Sequence, residues 1–462
     1  METTKRTQRF TLIITSGVAF IVPFLLNALN LAIPNIGETF KASTLLLGWV
    51  VNSFLLSSAA LLLPFGRLAD IIGRKKLFVL GLLLSTISSF LCVIAGSIEL
   101  FILFRVIQGI SAAMGFSTAM ALLTSAYPAG ERGKVLGINT AVVYFGLTLG
   151  PVVGGFLTFH WGWRSIFAFV GAFYLIILIL AVTQVKSEPA GAPGNKFDWE
   201  GSIVYIIGLT AFLYSLSSLQ EHWVNWLILF AGLLLLIVFV RRGVKIEHPL
   251  LPIKMLIHNR VFAFSNLAAL INYSATFATI FLLSIYLQSV LQYDSRTAGF
   301  ILLAQTIVMV IVSLISGRLS DRLNPSRMSS LGMAFSMIAL FIFAFISFDT
   351  SVYFIIGNLI IAGAGFGLFS SPNTNAIMGS VEKSMYGVAS STLGSMRMIG
   401  QSVSMTVAAL VLNSFVGAAE LSLAPPGLLL SGLKTAFAVF GIISFFGVVA
   451  ALQRERKTGE TK

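Results

Sequence analysis

The stretch GRLADIIGRKK, Gly66 to Lys76, decides the fold, because its opening returns later in the chain as GRLSDR, Gly317 to Arg322. Gly66, Arg67, Leu68 and Asp70 recur 251 positions on as Gly317, Arg318, Leu319 and Asp321. A second echo links Gly109, in RVIQG from Arg105, to Gly363 in a comparably small-residue stretch 254 positions later. Two echoes at nearly one offset argue for two parallel halves of one architecture.

Working outward, the segments around these echoes are apolar runs of bilayer length. Fourteen lie near 10–33, 45–65, 77–96, 100–122, 136–158, 165–183, 201–219, 223–240, 261–290, 298–316, 328–347, 352–371, 388–416 and 432–452. Each approaches the ~20 residues a helix needs to cross. Of 462 residues, 57% are hydrophobic and 10% charged, at a mean hydropathy of +0.93. Soluble chains carry about a quarter charged residues, so the fold class is an all-α membrane protein. The repeat predicts a six-helix half over 1–183, a linker with two inserted spans over 184–240, and a second six-helix half over 241–462. Pro189, Gly191, Pro193 and Gly194 mark the linker. The first run is too long for a cleaved signal and is followed at once by another span. One cysteine, Cys92, excludes an internal disulfide and a cysteine-based metal cage.

Fourteen spans put both ends of the chain on one side. With the termini inside, 24 of the 30 Lys and Arg fall on inner segments. Lys41, Arg164, Arg296 and Lys434 fall outside, and Arg105 and Arg397 lie within spans. Cytoplasmic loops carry such an excess. The expectation is therefore a multi-pass protein of the plasma (cytoplasmic) membrane with both termini cytoplasmic, whose net charge of +13 needs no nucleic-acid partner.

GRLADIIGRKK resembles motif A of the major facilitator superfamily. RVIQGISAA, Arg105 to Ala113, resembles its motif B, and GLTLGPVVGG, Gly146 to Gly155, is similar to motif C of its antiporter branch. Fourteen spans, LNLAIPNI at Leu29–Ile36 and FDWEG at Phe197–Gly201 resemble the drug:proton antiporters with fourteen spans, which include multidrug and tetracycline exporters. The resemblance covers nearly the whole chain. It implies a secondary transporter that exports small amphiphilic compounds across the lipid bilayer by alternating access, coupled to protons. It also implies that Asp70 locks the inner face against the second half near the start of span 13. Gly66, Asp70, Gly73, Arg74, Gly317 and Asp321 would then form a conformational gate. A monomer is expected. With no zinc-type histidine motif and no phosphate-cradling glycine loop, neither an enzyme nor a cofactor or metal is expected.

The residues carry a reading of their own. Gly66 and Gly73 permit a tight inner turn, and Asp70 places a carboxylate among Arg67, Arg74 and Lys75 that can hold a neighbouring helix N-terminus or basic side chain in one state and release it in another. A topogenic basic loop with a snorkelling acid reads the same way. Gly146, Gly150 and Gly154 fall four apart on one face of span 5, with Pro151 and Gly155 beside them, as static close packing or as a hinge. Arg105 in span 4 and Arg397 in span 13 each cost at least about 2.5–3.5 kcal/mol against lipid, so both should face the bundle interior or a wet cavity. Gln108 and Gln401 lie one turn along from them. Asn27, Asn30, Asn52, Tyr144, Asn272, Tyr273, Gln305 and Asn358 complete the substrate-binding candidates, with helix–helix glue as the alternative role.

No span interior holds any of the 17 acids. A buried carboxylate suits coupling because desolvation raises its pKa and a cationic drug can displace its proton. Asp70 and Glu99, at span ends, are the nearest substitutes, followed by Glu38 and Asp294. Two embedded arginines without an embedded acid predict an electropositive cavity that favours anionic, zwitterionic or neutral amphiphiles. The alternatives are an exporter or flippase of anionic or zwitterionic lipids or metabolites with weak or no coupling, and a transporter-like sensor without flux.

Overall fold

The computed structural model describes residues 2–127, 132–185, 197–217, 219, 222–246, 249–251, 253–320, 322–381, 386–417 and 424–452. Asp321 and the side chain of Asp70 lie outside the described residues. The chain is all-α. The first half runs α1 (Glu2–Phe40), α2 (Thr44–Ile72), α3 (Arg74–Val93), α4 (Ile98–Ala126), α5 (Arg132–Trp161) and α6 (Arg164–Gln184). The inserted pair is α7 (Trp199–Ser217) and α8 (Val224–Lys245). The second half runs α9 (Ile253–His258), α10 (Arg260–Thr276), α11 (Thr279–Ile285), a π-helical turn at Tyr286–Val290, α12 (Ser295–Leu319), α13 (Pro325–Phe343), α14 (Val352–Gly379), α15 (Tyr386–Val416) and α16 (Pro426–Leu452). Fourteen described segments are long and apolar enough to span a bilayer, the ninth comprising α10, α11 and the π-helical turn.

Three sequence expectations change in detail. The basic stretch after span 2 is not a loop: α2 continues to Ile72 and α3 starts at Arg74, so only Gly73 separates them, at φ +105°. Glycine is needed there because a Cβ disfavours that backbone region. Gly66 serves no turn; it sits inside α2, where a Cβ would meet the Ser117 Cβ of α4 at 3.8 Å. Span 9 is interrupted at Phe277 and Ala278, and the short α9 precedes it between two of the apolar runs.

The repeat survives at the level of single contacts. In the first half α4 lies against α2, and a Cβ on Gly109 would run into the Phe54 carbonyl. In the second half α14 lies against α12, and a Cβ on Gly363 would run into the Gln305 carbonyl. Phe54 and Gln305 are 251 apart, Gly109 and Gly363 254 apart. The Gly66–Ser117 approach likewise returns as Gly317 against Ser371. Small residues let helix backbones close in where lipid supplies no hydrophobic drive to pack them.

Between the halves α2 lies along α15, α5 along α12, and α1 along α11. The inserted α7 rests on both α2 and α15, beside that seam, and its Tyr205 hydroxyl donates to the Ala59 carbonyl of α2 at 3.1 Å. FDWEG is the anchor of this pair. Asp198 caps α7 by accepting from Gly201 N at 2.9 Å, and any Cβ at 201 would strike that carboxylate. Arg242, in the last turn of α8, reaches Asp198 at 3.3 Å and Glu200 at 2.6 Å.

Candidate functional site

Both ends of the described chain share one face of the bundle, called here the terminal face; the opposite one is the far face. Contacts that join the halves run from the far face toward the middle. A Cβ on Gly48 would lie 2.5 Å from that of Ala409 on α15. One turn deeper, Asn52 uses its whole amide across the seam: Nδ2 donates to Thr406 Oγ1 at 2.7 Å, and Oδ1 accepts from Ser402 Oγ at 2.5 Å. Gln288, in the π-helical turn, donates to the Leu31 carbonyl of α1 at 3.0 Å.

Helix α5 is two-faced. Gly146, Gly150 and Gly154 close onto α1, where added Cβ atoms would meet the Phe20 carbonyl, the Asn27 Cβ and the Ala28 backbone. Pro151 and Gly155 point to the other half: a Cβ on Gly155 would lie 2.6 Å from the Ser295 carbonyl, and one on Gly299 2.5 Å from the Pro151 carbonyl. Spacing by four builds the fixed contact, and the residues beside it build the seam. Nearer the terminal face, the hydroxyls of Tyr144 and Ser313 pair across the same two helices at 2.6 Å.

Tyr144 also lies within electrostatic reach of Arg397 and Tyr273. Tyr273 is edge-on to Phe366 at 5.5 Å, and Gly400, one turn from Arg397, brings α15 onto the α10 backbone at Leu270. Arg397 Nε and Gln401 Oε1 are buried without a hydrogen-bond partner among the described residues. Asn30 Oδ1 on α1 is in the same condition. Buried polar groups are nearly always paired, so an unpaired one calls for an explanation such as a water, an ion or another ligand.

Arg105 stands elsewhere. It is 0% exposed inside the first half, donates through Nε to the Val50 carbonyl at 3.0 Å, and bonds Gln108 Oε1. Gln108 passes the chain to Ser89 at 2.8 Å, and the Phe54 ring stacks over the guanidinium at 4.5 Å. This hub ties α2, α3 and α4, with Nη2 of the guanidinium left without a hydrogen-bond partner among the described residues. Asn27 is similarly committed, to the Leu147 carbonyl at 3.0 Å, and Asn358 Nδ2 to the Ala339 carbonyl at 2.9 Å. Asn272 and Gln305 are buried in the second half.

With this geometry in view, comparison with known proteins decides the family. The model for the Major Facilitator Superfamily matches residues 15–405. The chain belongs to the major facilitator superfamily. It is 31% identical over 372 residues to the riboflavin transporter RibZ of Clostridioides difficile, covering 80% of each. It is 29% identical over 422 residues to the multidrug resistance protein Stp of Mycobacterium tuberculosis, covering 89% of this chain and 77% of that one. Among solved structures, a bacterial homolog of the human lysosomal transporter Spinster, inward-facing and unoccupied, superposes at a TM-score of 0.72 with 16% identity over 97% of both chains. As a member of this superfamily, the chain is a multi-pass transporter of small molecules rather than an enzyme.

Two far-face acids of this superfamily member lie at the seam. Glu38 and Asp294 line a depression of about 780 Å³ with Thr158, Gln288 and Ser295. Asp294 caps α12, and the Thr297 amide holds its carboxyl below the ordinary carboxylate range. Glu99 is exposed at the start of α4. Gly73 and Arg74 form the α2–α3 junction, and Gly317 packs inside α12 against Ser371. The residues missed from sequence include Gln288, Ser313, Ser402 and Thr406, which make cross-half hydrogen bonds. Ser395, Ser402 and Thr406, spaced seven and four along α15 and all 0% exposed, carried the signal of a polar stripe.

Proposed function

We propose that the chain is a secondary active exporter of small amphiphilic compounds, working by alternating access between residues 1–183 and 241–462, with 184–240 as an insert. The observation that carries this reading is the make-up of the seam. It consists of close glycine approaches and hydroxyl or amide pairs, which open and reclose without stranding a charge, while each half keeps its own tight internal contacts. The far-face contacts then form one gate, and the Gly73 junction with Asp70 and Arg74 belongs to the other. The bias of basic residues places the terminal face in the cytoplasm, within the plasma membrane. The protein works as a monomer.

The substrate site lies at Arg397, Tyr144, Tyr273, Gln401 and Asn30, and the lone guanidinium favours neutral, zwitterionic or anionic amphiphiles. Relatives named for riboflavin and for multidrug resistance support a planar, amphiphilic substrate class. In proteoliposomes Arg397→Ala should lower transport of anionic amphiphiles at least tenfold more than of cationic ones; equal loss rejects the electrostatic reading. Proton coupling predicts that an imposed pH gradient drives uptake into inverted vesicles, and indifference to the gradient rejects it. If labelled amphiphiles bind but never cross, the molecule is a sensor.

A further inference from the structure

The second half contains a small pocket that the exporter reading leaves unused. It has a volume of about 10 Å³ and is lined by Thr276, Thr279, Gln305 and Ser336 with apolar neighbours that include Phe343 and Phe366. That is room for a single water-sized sphere. Gln305 is 8% and Ser336 2% exposed, and both Gln305 Oε1 and Ser336 Oγ lack a hydrogen-bond partner among the described residues. Thr276 has spent its proton on the Asn272 carbonyl at 2.8 Å, so what its hydroxyl still offers is lone pairs. Asn272, one turn back on the same face, is 0% exposed with neither amide atom partnered.

The pocket sits where span 9 is interrupted. Thr276 ends α10 and Thr279 begins α11. The Ala278 amide donates to Ser404 Oγ of α15 at 3.0 Å, not to the preceding turn, so the Ser274 carbonyl loses its regular donor. The carbonyl end of α10 and the amide start of α11 therefore meet beside the pocket, which Thr276 and Thr279 line. Interrupted membrane helices with unwound carbonyls are where transporters hold alkali cations.

We propose that this pocket binds one monovalent cation of sodium size, through the oxygens of Thr276, Thr279, Gln305 and Ser336 at the carbonyl end of α10. The inference rests on the transporter reading for its use, as a coupling or state-locking ion, but its existence as a site does not. Hard cations take oxygen ligands, the volume admits nothing larger than a water-sized ligand, and two lining residues, Gln305 and Ser336, present unpartnered oxygens. Because Ser404 of α15 completes the helix interruption, cation binding is tied to the position of the helix that carries Arg397.

The test is thermal unfolding of the purified full chain in NaCl, KCl and choline chloride at equal ionic strength. Sodium should give a saturable rise on the order of 2 °C that choline does not. Ser336→Ala and Thr279→Val, measured separately, should each weaken the apparent sodium affinity at least tenfold while keeping the choline melting temperature. Equal melting in all three salts means an ordered water only and overturns the proposal. A sodium shift that is undiminished in both variants overturns the location. Should a variant fail to fold, radioactive sodium is added to the unaltered chain instead: saturable binding of one ion supports the site, and no binding overturns it. A sodium shift in a protein that moves no amphiphile in proteoliposomes would sink the exporter reading and leave the site standing.

Discussion

The two halves share a backbone and differ in what they bury. At equivalent places, Gly109 closes on the Phe54 carbonyl and Gly363 on the Gln305 carbonyl. Around the first contact most polar groups answer one another: Arg105 holds Val50 and Gln108, and Gln108 holds Ser89, with Arg105 Nη2 left over. Around the second, Asn272, Gln305 Oε1 and Ser336 Oγ stand unpaired among the described residues, beside an interrupted helix. A satisfied network rigidifies, whereas unpaired polar groups in a low dielectric are costly unless a ligand or water answers them. The difference lies between these two contacts: a hydrogen-bonded hub beside Gly109, and unpaired amide and hydroxyl groups beside Gly363.

The comparison breaks most visibly at its shared contact. Gly109→Val and Gly363→Val should each cost on the order of 3 kcal/mol or prevent folding, since the added atoms meet a backbone carbonyl. Melting in detergent micelles checks this, and a marked inequality would show that the repeat is not mechanical. Next come the two arginines. Arg105→Leu removes charged hydrogen bonds from a buried hub and should destabilise by about 2–3 kcal/mol. Arg397→Leu should leave the melting temperature within about 2 °C yet abolish most anion transport, because its Nε has no partner to lose among the described residues. Matching stability losses would erase the contrast between the two arginines.

Asn52→Ala tests the hinge between the halves. Loss of two cross-half hydrogen bonds at about 1 kcal/mol each should shift the conformational balance about 30-fold toward far-face opening. The labelling rate of Ala409→Cys in a Cys92→Ser background reads that shift; an unchanged rate means the amide clamp holds nothing. The smallest effect is at the far face. Asp294 keeps its charge below the ordinary carboxylate value of 3.8, so its cap stabilises α12 above that pH and is lost as pH falls through the lower folded value. Asp294→Asn should flatten the acid limb of stability while changing the neutral melting temperature by only a degree or two.

Much of the site was legible because membrane burial makes rare residues conspicuous. Arg105 and Arg397 stand out by cost alone, and both are interior. Their different fates were not legible: one turn of sequence around each shows an arginine with a nearby glutamine, and only the packed neighbours Val50 and Phe54 make the first a hydrogen-bonded hub. Asn52 is a cavity candidate by sequence and a cross-half clamp by structure, since its partners Ser402 and Thr406 are some 350 positions away. Motif C announces a small-residue face, but not that Pro151 and Gly155 turn to the opposite half.

The sequence by itself determined the bilayer, the fourteen crossings, the even topology and the doubled architecture. Hydropathy acts locally over each span, and the repeat is written in residue identity. Tertiary structure decided which polar groups are spent and which are free. Whether Gln305, Arg397 or Asn272 has a partner depends on helices far along the chain meeting at a particular depth, and no spacing within one helix encodes that encounter. The interruption at Ala278 is of the same kind: its amide leaves the helix for Ser404, a hydroxyl 126 positions on.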